Sequence, residues 1–271
     1  MASVEQNKYW WDQEQDWGAS GSEWSSPYGT PAMQWYASLL PRIHSYLPAA
    51  TILEIAPGFG RWTQFLKTHC KQLVLVDLSV KCIDGCKKRF EADRHIDYHL
   101  TDGKSLSMVA DNSIDFMFSF DSLVHADSDV IESYLGQLAV KLKPNGVGFL
   151  HHSNLGSFIN HFKVADKLPR GRRLLSRLNV VEPGDHKRSR NMTADKFISL
   201  ASTAGLKVVN QELINWGTHR TIDCLSVFTH PNSAMDGEFH RLVNPDFGRE
   251  ASYIGQLATL YDRPTTSPAI H

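Results

Sequence analysis

The sequence predicts an α/β fold built on a mostly parallel sheet with helices on both faces. Three observations carry that expectation. Apolar runs recur along the first half of the chain: TILEIA (51–56), KQLVLVD (71–77), HIDYHL (95–100), NSIDFMFSF (112–120) and GVGFLHH (146–152). Helix-like stretches at 61–69, 79–92 and 128–142 separate them. The runs are close to continuously apolar, as strands covered on both faces are, and strand–helix alternation is the pattern of βαβ units.

Residues 1–45 are aromatic and polar, and GASGSEWSSPYGTP (18–31) breaks any long helix there. Short helices joined by loops are expected, serving as a cover or lid. The main domain is placed at 46–230. Pro144-Asn145-Gly146 marks a turn ahead of the fifth strand. Residues 154–192 contain no strand pattern and read as an insertion after it. Thr193 then stands as an N-cap, apolar residues follow at helical spacing, and Gly205 closes the helix. LKVVNQELI (206–214) and TIDCLSVFTH (221–230) complete the strands. The tail 231–271 opens as loop and carries one helix, REASYIGQLATLYDR.

With 271 residues the chain is long enough to bury a core without disulfides or metals. Lys and Arg number 28 against 29 Asp and Glu, which excludes a globally basic nucleic-acid coat or an acidic disordered tail. The four cysteines form no CxxC pair. No apolar run reaches the ~18 residues of a membrane span, and MASVEQNKYW lacks the apolar core of a signal peptide. A cytoplasmic location is therefore expected.

In a parallel sheet the ligand lies beyond the carboxyl ends of the strands. The first strand ends in Glu54-Ile55-Ala56-Pro57-Gly58-Phe59-Gly60, where Gly58 and Gly60 let the backbone approach a ligand closely. A dinucleotide fingerprint would place a third glycine where Thr63 stands, so that reading weakens. The Glu54 carboxylate would repel phosphates and accept from an ammonium group. Asp77 closes the second strand, where a carboxylate can accept both hydroxyls of a ribose or cap the next helix. Asp102, in a turn after the third strand, could receive an adenine amino group.

LEIAPGFGRW, LVLVDLS, TDGKSL and SIDFMFSFDSLVH, in this order and spacing, resemble the four cofactor motifs of class I S-adenosylmethionine-dependent methyltransferases over residues 45–230. The resemblance implies a Rossmann-like seven-stranded sheet whose last strand is antiparallel, with S-adenosylmethionine as the cofactor. It also implies that Glu54, Gly58 and Gly60 surround the methionine end, and that Asp77 takes the ribose. Leu78 would pack on the adenine, Asp102 and Gly103 would read its amino group, and Ser119 and Phe120 would close the fourth strand against the cofactor. The sequence departs from the family at Ala56, where glycine is commoner.

On the acceptor side, His125 and Asp121 follow the fourth strand, and His151 and His152 lie at the end of the fifth. A hydroxyl acceptor benefits from proton removal. His125 is the expected base, with Asp121 as its orienter and His152, beside Asn154, as the next candidate. Adjacent strand residues face opposite ways, so only one of the two adjacent histidines should enter the pocket. Asp121, His125 and Asp127 have ligand chemistry for a divalent ion, but no metal is expected. Nine Lys and Arg fall between Lys163 and Arg190 against Asp166, Glu182 and Asp185, a +6 segment set against a -7 remainder. It reads as a solvated face or as an electropositive rim for an acidic acceptor.

The motif of amino-methylating DNA enzymes is absent after the fourth strand, as is the Tyr-xxx-Lys pair of short-chain reductases. The expected function is an O-methyltransferase acting on a sugar or glycan hydroxyl, as in the bacterial surface-glycan methyltransferases the chain resembles. The alternatives are a small-molecule O- or N-methyltransferase and a non-catalytic S-adenosylmethionine-binding module. The expected partner is a small-molecule or glycan acceptor, anionic where it bears a phosphate, with no nucleic acid and no membrane span. The oligomeric state stays open, a homodimer included.

Overall fold

The computed structural model describes residues 3–18, 20–160, 187–216 and 218–262. Eight strands form one sheet: β1 (Ala49–Ile55), β2 (Cys70–Asp77), β3 (Ile96–Leu100), β4 (Ile114–Ser119), β5 (Leu142–Ser153), β6 (Lys207–Ile214), β7 (Asp223–Thr229) and β8 (His240–Asn244). Their order is β3-β2-β1-β4-β5-β7-β6-β8. The first five pair in parallel, while β7 runs antiparallel to both β5 and β6. The strand order switches at β1, between β2 and β4, while the strands stay parallel, and this is where a crevice opens at the carboxyl ends.

The expectation of seven strands is corrected by β8, which pairs in parallel with β6 inside the tail read as loop. All but one of its residues are exposed, so it shows none of the apolar alternation that betrays a half-buried strand. The expected helix follows it, Phe247–Leu260.

Helices cover both faces. On one lie α6 (Ser128–Lys141) and α7 (Ala194–Thr203), whose Val130, Tyr134, Leu138 and Phe197 pack with Leu53, Ile55 and Met117. On the other, α2 (Pro31–Gln34) leads into a π-helical turn over Trp35–Leu39, and this turn, α3 (Leu40–Ile43), α4 (Thr63–Leu66), α5 (Val80–Arg89) and α8 (Phe247–Leu260) cover Phe116, Phe118 and Phe149. The alternation of Phe116 and Phe118 against Met117 along β4 shows why the strand reads as apolar throughout: each residue meets a core.

Two local signals act as the sequence predicts. The Thr193 hydroxyl accepts from the Lys196 N–H at 3.0 Å, and Gly205 adopts φ +83° at the end of α7. The Pro144-Asn145-Gly146 turn takes another form, a bulge inside β5. Leu142 pairs with Ile114 and Val147 with Phe116, so the intervening residues are extruded from the ladder.

Before β1 the chain forms short pieces: α1 (Val4–Tyr9), a π-helical turn over Trp10–Glu14 and a 3-10 turn over Ser22–Tyr28. They lie across the carboxyl ends of the strands. Among the described residues no helix is long and apolar enough to cross a membrane.

Candidate active site

The loop after β1 winds through three left-handed residues: Ala56 (φ +58°), Gly58 (φ +58°) and Gly60 (φ +80°). Ala56 thus holds a conformation that glycine adopts freely, at a cost of ~1 kcal/mol. This explains why glycine is the favoured residue at the position where the motif departs. A side chain at Gly60 would place its Cβ 2.4 Å from the Phe90 ring, so this glycine lets α5 close on the loop. At Gly58 the backbone N–H donates to Asp77 Oδ2 at 3.1 Å, which ties β1 to the end of β2.

A cavity of about 590 Å³ opens above this loop. Gly58, Asp77, Leu78, Asp102, Gly103 and Phe120 line it. Asp77 accepts from Gly58 N–H and, through Oδ1, from Ser79 N–H. A carboxylate has about four lone-pair sites, so acceptor capacity remains for two hydroxyls. Burial pushes the Asp77 carboxyl up to about 6, despite the backbone N–H groups of Ser79 and Gly58 that favour its charge. Asp102 is held below the usual carboxylate range by the Lys104 and Ser105 N–H groups, which leaves it ionised at the rim.

Glu54, Gly60 and Ser119 do not line the cavity. Glu54 lies beneath the loop and accepts from the Thr63 hydroxyl at 2.6 Å. Burial pushes its carboxyl up to about 8, with the Thr63 bond opposing. Its place is below the cradle, with the loop after β1 between it and the cavity. Ser119 is fully buried under Phe120.

The N-terminal cover forms the roof. Val4 packs over Gly103, and Trp17 stacks on Phe59 at 4.6 Å, above Gly58. Asp12 accepts from the Ser79 hydroxyl at the end of β2. One segment thus touches the loops after β1, β2 and β3. Glycine at 58 and 103 leaves the space these side chains occupy.

A second chamber of about 940 Å³ adjoins the first. Asn7, Trp11, Trp24, Asp121 and His125 line both. Trp10, Trp216 and Arg188 complete its principal walls.

His125 sits between the two cavities. Its Nδ1 lies 3.0 Å from the Lys187 carbonyl oxygen. A carbonyl only accepts, so Nδ1 carries the proton and the lone pair is on Nε2. Burial, with the Arg188 guanidinium adding to it, pushes the imidazole down to about 4, which keeps it neutral. The expectation that Asp121 orients His125 is corrected: the Lys187 carbonyl occupies that role. Asp121 pairs instead with Arg61 at 2.8 Å, lies 3.9 Å from Arg188 and adopts φ +62°. Its backbone N–H donates to His151 Nδ1 at 3.1 Å.

His152 faces away from both cavities. Its ring stacks on Phe197 at 4.3 Å, Nδ1 donates to the Ser153 carbonyl and Nε2 accepts from the Ser226 hydroxyl. Asn154 caps α7 through the Ala194 N–H and does not bond it. His152 is a core residue, and the expectation that it enters the site is corrected. Asp127 accepts from the Ser189 hydroxyl. Among the described residues no group of three His, Cys, Asp or Glu could hold a metal ion. Most of the basic segment, 161–186, lies outside the described residues; of its end, Arg188 is buried in ion pairs rather than set on a rim.

Sequence reasoning gave no role to Arg61 or Asp223 and counted Arg188 only within the basic segment. Arg61 lies 4.5 Å from the Trp62 ring centre and 5.4 Å from that of Trp24. Arg188 Nη2 lies 2.9 Å from Asp223 Oδ2, and His151 Nε2 is 3.5 Å from the same oxygen. Burial alone would push the Asp223 carboxyl up, but the Arg188 guanidinium and His151 hold it well below the usual carboxylate range. The available signal was positional: Arg61 stands in the loop between β1 and α4, and Asp223 is the first residue of β7.

Residues 52–146 match a family model described as a methyltransferase domain. A stretch of 121 residues is 28% identical to phosphoethanolamine N-methyltransferase 1 of Triticum aestivum, covering 42% of this chain and 24% of that protein. The chain therefore spans about a quarter of the length of this curated relative. Among solved structures, the N-methyltransferase NodS of Bradyrhizobium japonicum WM9 in complex with S-adenosyl-L-homocysteine superposes with a TM-score of 0.55. It is 14% identical and matches over 84% of this chain and 98% of that one. A protein of Pyrococcus horikoshii OT3 superposes at 0.52 with 19% identity, over 73% of this chain and 92% of that one. These two likenesses concern the fold.

Proposed function

We propose that this chain, a methyltransferase that draws its methyl group from S-adenosylmethionine, delivers it to a hydroxyl of a sugar or glycan held in the tryptophan-walled chamber. The donor set of the smaller cavity suits the cofactor: an acceptor carboxylate at Asp77, an apolar surface at Leu78, a polar turn at Asp102 and Gly103, and a glycine cradle at Gly58. When bound, S-adenosylmethionine supplies an electrophilic methyl group on a sulfonium. Everything else falls to the protein: holding the acceptor beside that methyl, excluding water and taking up a proton.

The observation that carries the acceptor reading is the wall chemistry of the chamber. Trp10, Trp11, Trp24 and Trp216 offer flat apolar surfaces, while Gln6, Asn7 and Asp121 offer amide and carboxylate groups. Sugars present apolar C–H faces and paired hydroxyls, and such a lining answers both. His125 Nε2 is the base: neutral, with its other nitrogen engaged. Methyl transfer to a hydroxyl releases one proton, and Nε2 accepts it as the new O–C bond forms.

The test uses labelled S-adenosylmethionine and a panel of sugar acceptors. His125→Gln should lower turnover by ~10²-fold or more while leaving cofactor affinity within about twofold. Undiminished turnover in that variant would remove His125 from the mechanism.

A second reading is methylation of an amine. Aromatic faces attract cations, and Lys187 Nζ already lies 3.6 Å from the Trp10 ring centre. The wheat relative and NodS are both named N-methyltransferases. The pH profile separates the two. With a hydroxyl acceptor the rate levels off above about pH 5, once His125 is neutral. With an amine it climbs until the acceptor itself is deprotonated.

A further inference from the structure

We infer that Arg188 is a positioning residue, which locks the Lys187 carbonyl against His125 and so holds the imidazole in the tautomer with its lone pair on Nε2. The inference rests on the reading of His125 as the base, and it is carried by four contacts around one loop.

Arg188 is buried and directs its guanidinium at Asp223, with Nε 3.1 Å from Oδ1 and Nη2 2.9 Å from Oδ2. This forked geometry fixes both the direction and the position of the arginine. Asp223 is the first residue of β7 and wholly buried, so its anchor is the sheet itself. The next residue is also fastened: Ser189 N–H donates to the Val124 carbonyl at 3.0 Å, and the Ser153 hydroxyl donates to the Ser189 carbonyl at 2.7 Å.

Lys187, one residue before Arg188, adopts φ +58°, a left-handed conformation that a lysine enters only under constraint. The ion pair that follows it, with its ammonium against the Trp10 ring, supplies that constraint. The strained residue presents the carbonyl that holds His125 Nδ1–H. A free neutral imidazole places its proton on either nitrogen, and the other tautomer would have no lone pair on Nε2 to offer. The charges facing His125 are Arg188, Asp121 and Asp223, from the loop, the β4 end and β7.

The tautomer can be read directly in the full-length protein by two-bond proton–nitrogen correlation of ¹⁵N-labelled imidazoles, with His125 assigned by its loss in His125→Gln. The wild type should show His125 protonated on Nδ1 and not on Nε2. Removing Arg188 alone would strand the buried Asp223 charge and threaten folding, so the variant is Arg188→Met combined with Asp223→Asn. It should show His125 averaging between tautomers and turnover lowered about two- to fivefold, in proportion to the competent tautomer left, with S-adenosylmethionine affinity within about twofold. Arg188→Lys, which keeps the charge but loses the fork, should fall between the two. A wild-type His125 protonated on Nε2 overturns the inference, as does a double variant that keeps both tautomer and rate. If the spectra are as expected but His125→Gln turns over at full rate, the positioning stands and the base reading fails.

Discussion

His152 is held by both ring nitrogens and by the face of Phe197, so replacing it is a matter of packing. His152→Ala should cost about 3 kcal/mol in urea unfolding and leave the rate per folded molecule unchanged. That contrasts with His125, whose replacement should cost rate and little stability. Two buried carboxyls and two buried imidazoles set opposite slopes of stability with pH. His125 and His152 titrate near 4 when folded, below the unfolded value near 6.5, so the unfolded chain binds more protons and stability is lost as pH falls from about 6.5 to 4. Glu54 titrates near 8 and Asp77 near 6, above their unfolded values, so the folded chain binds more protons. Their contribution is complete below about pH 4 and is lost as pH rises through 6 and 8. Without added cofactor, stability should peak near pH 6. Glu54→Gln should flatten the alkaline decline between pH 6 and 8.5, measured as urea midpoints.

At the scale of elements, what could be read from the chain followed burial. Strands β1, β2, β4 and β5 carry apolar side chains toward two cores and stand out as runs. The exposed edge strand β8 carries no such mark, and the Pro144-Asn145-Gly146 turn gave no sign that it lies within β5 rather than before it. The loops after β1 and β3 were legible because their glycines answer to local geometry. Asp121 and His125 were placed at the correct strand end, but their partners were not. Arg61, Lys187 and Asp223 are brought to them from separate parts of the chain, and no local pattern encodes such meetings. The β1–α4 loop yields a prediction of its own. Gly60→Ala meets both an unfavourable φ and the Phe90 ring, and should cost about 2 kcal/mol or more in thermal unfolding. S-adenosylmethionine affinity should fall with it, because the loop and α5 can no longer close together.

For the whole molecule, near-neutral net charge conceals its internal division: charge is gathered into the Arg61–Asp121 and Arg188–Asp223 pairs beside the site. The fold brings the end of the sheet, the N-terminal cover and the loop after residue 186 to one place. Asn7, Trp11, Trp24, Asp121 and His125 belong to both cavities at once. A wall shared by two ligands makes their affinities a single thermodynamic quantity seen from two sides. If S-adenosyl-L-homocysteine tightens the acceptor by some factor, the acceptor must tighten S-adenosyl-L-homocysteine by the same factor. Paired titrations, each ligand with and without the other, should return equal ratios different from one. Trp11→Ala, which thins the partition, should bring both ratios toward one together.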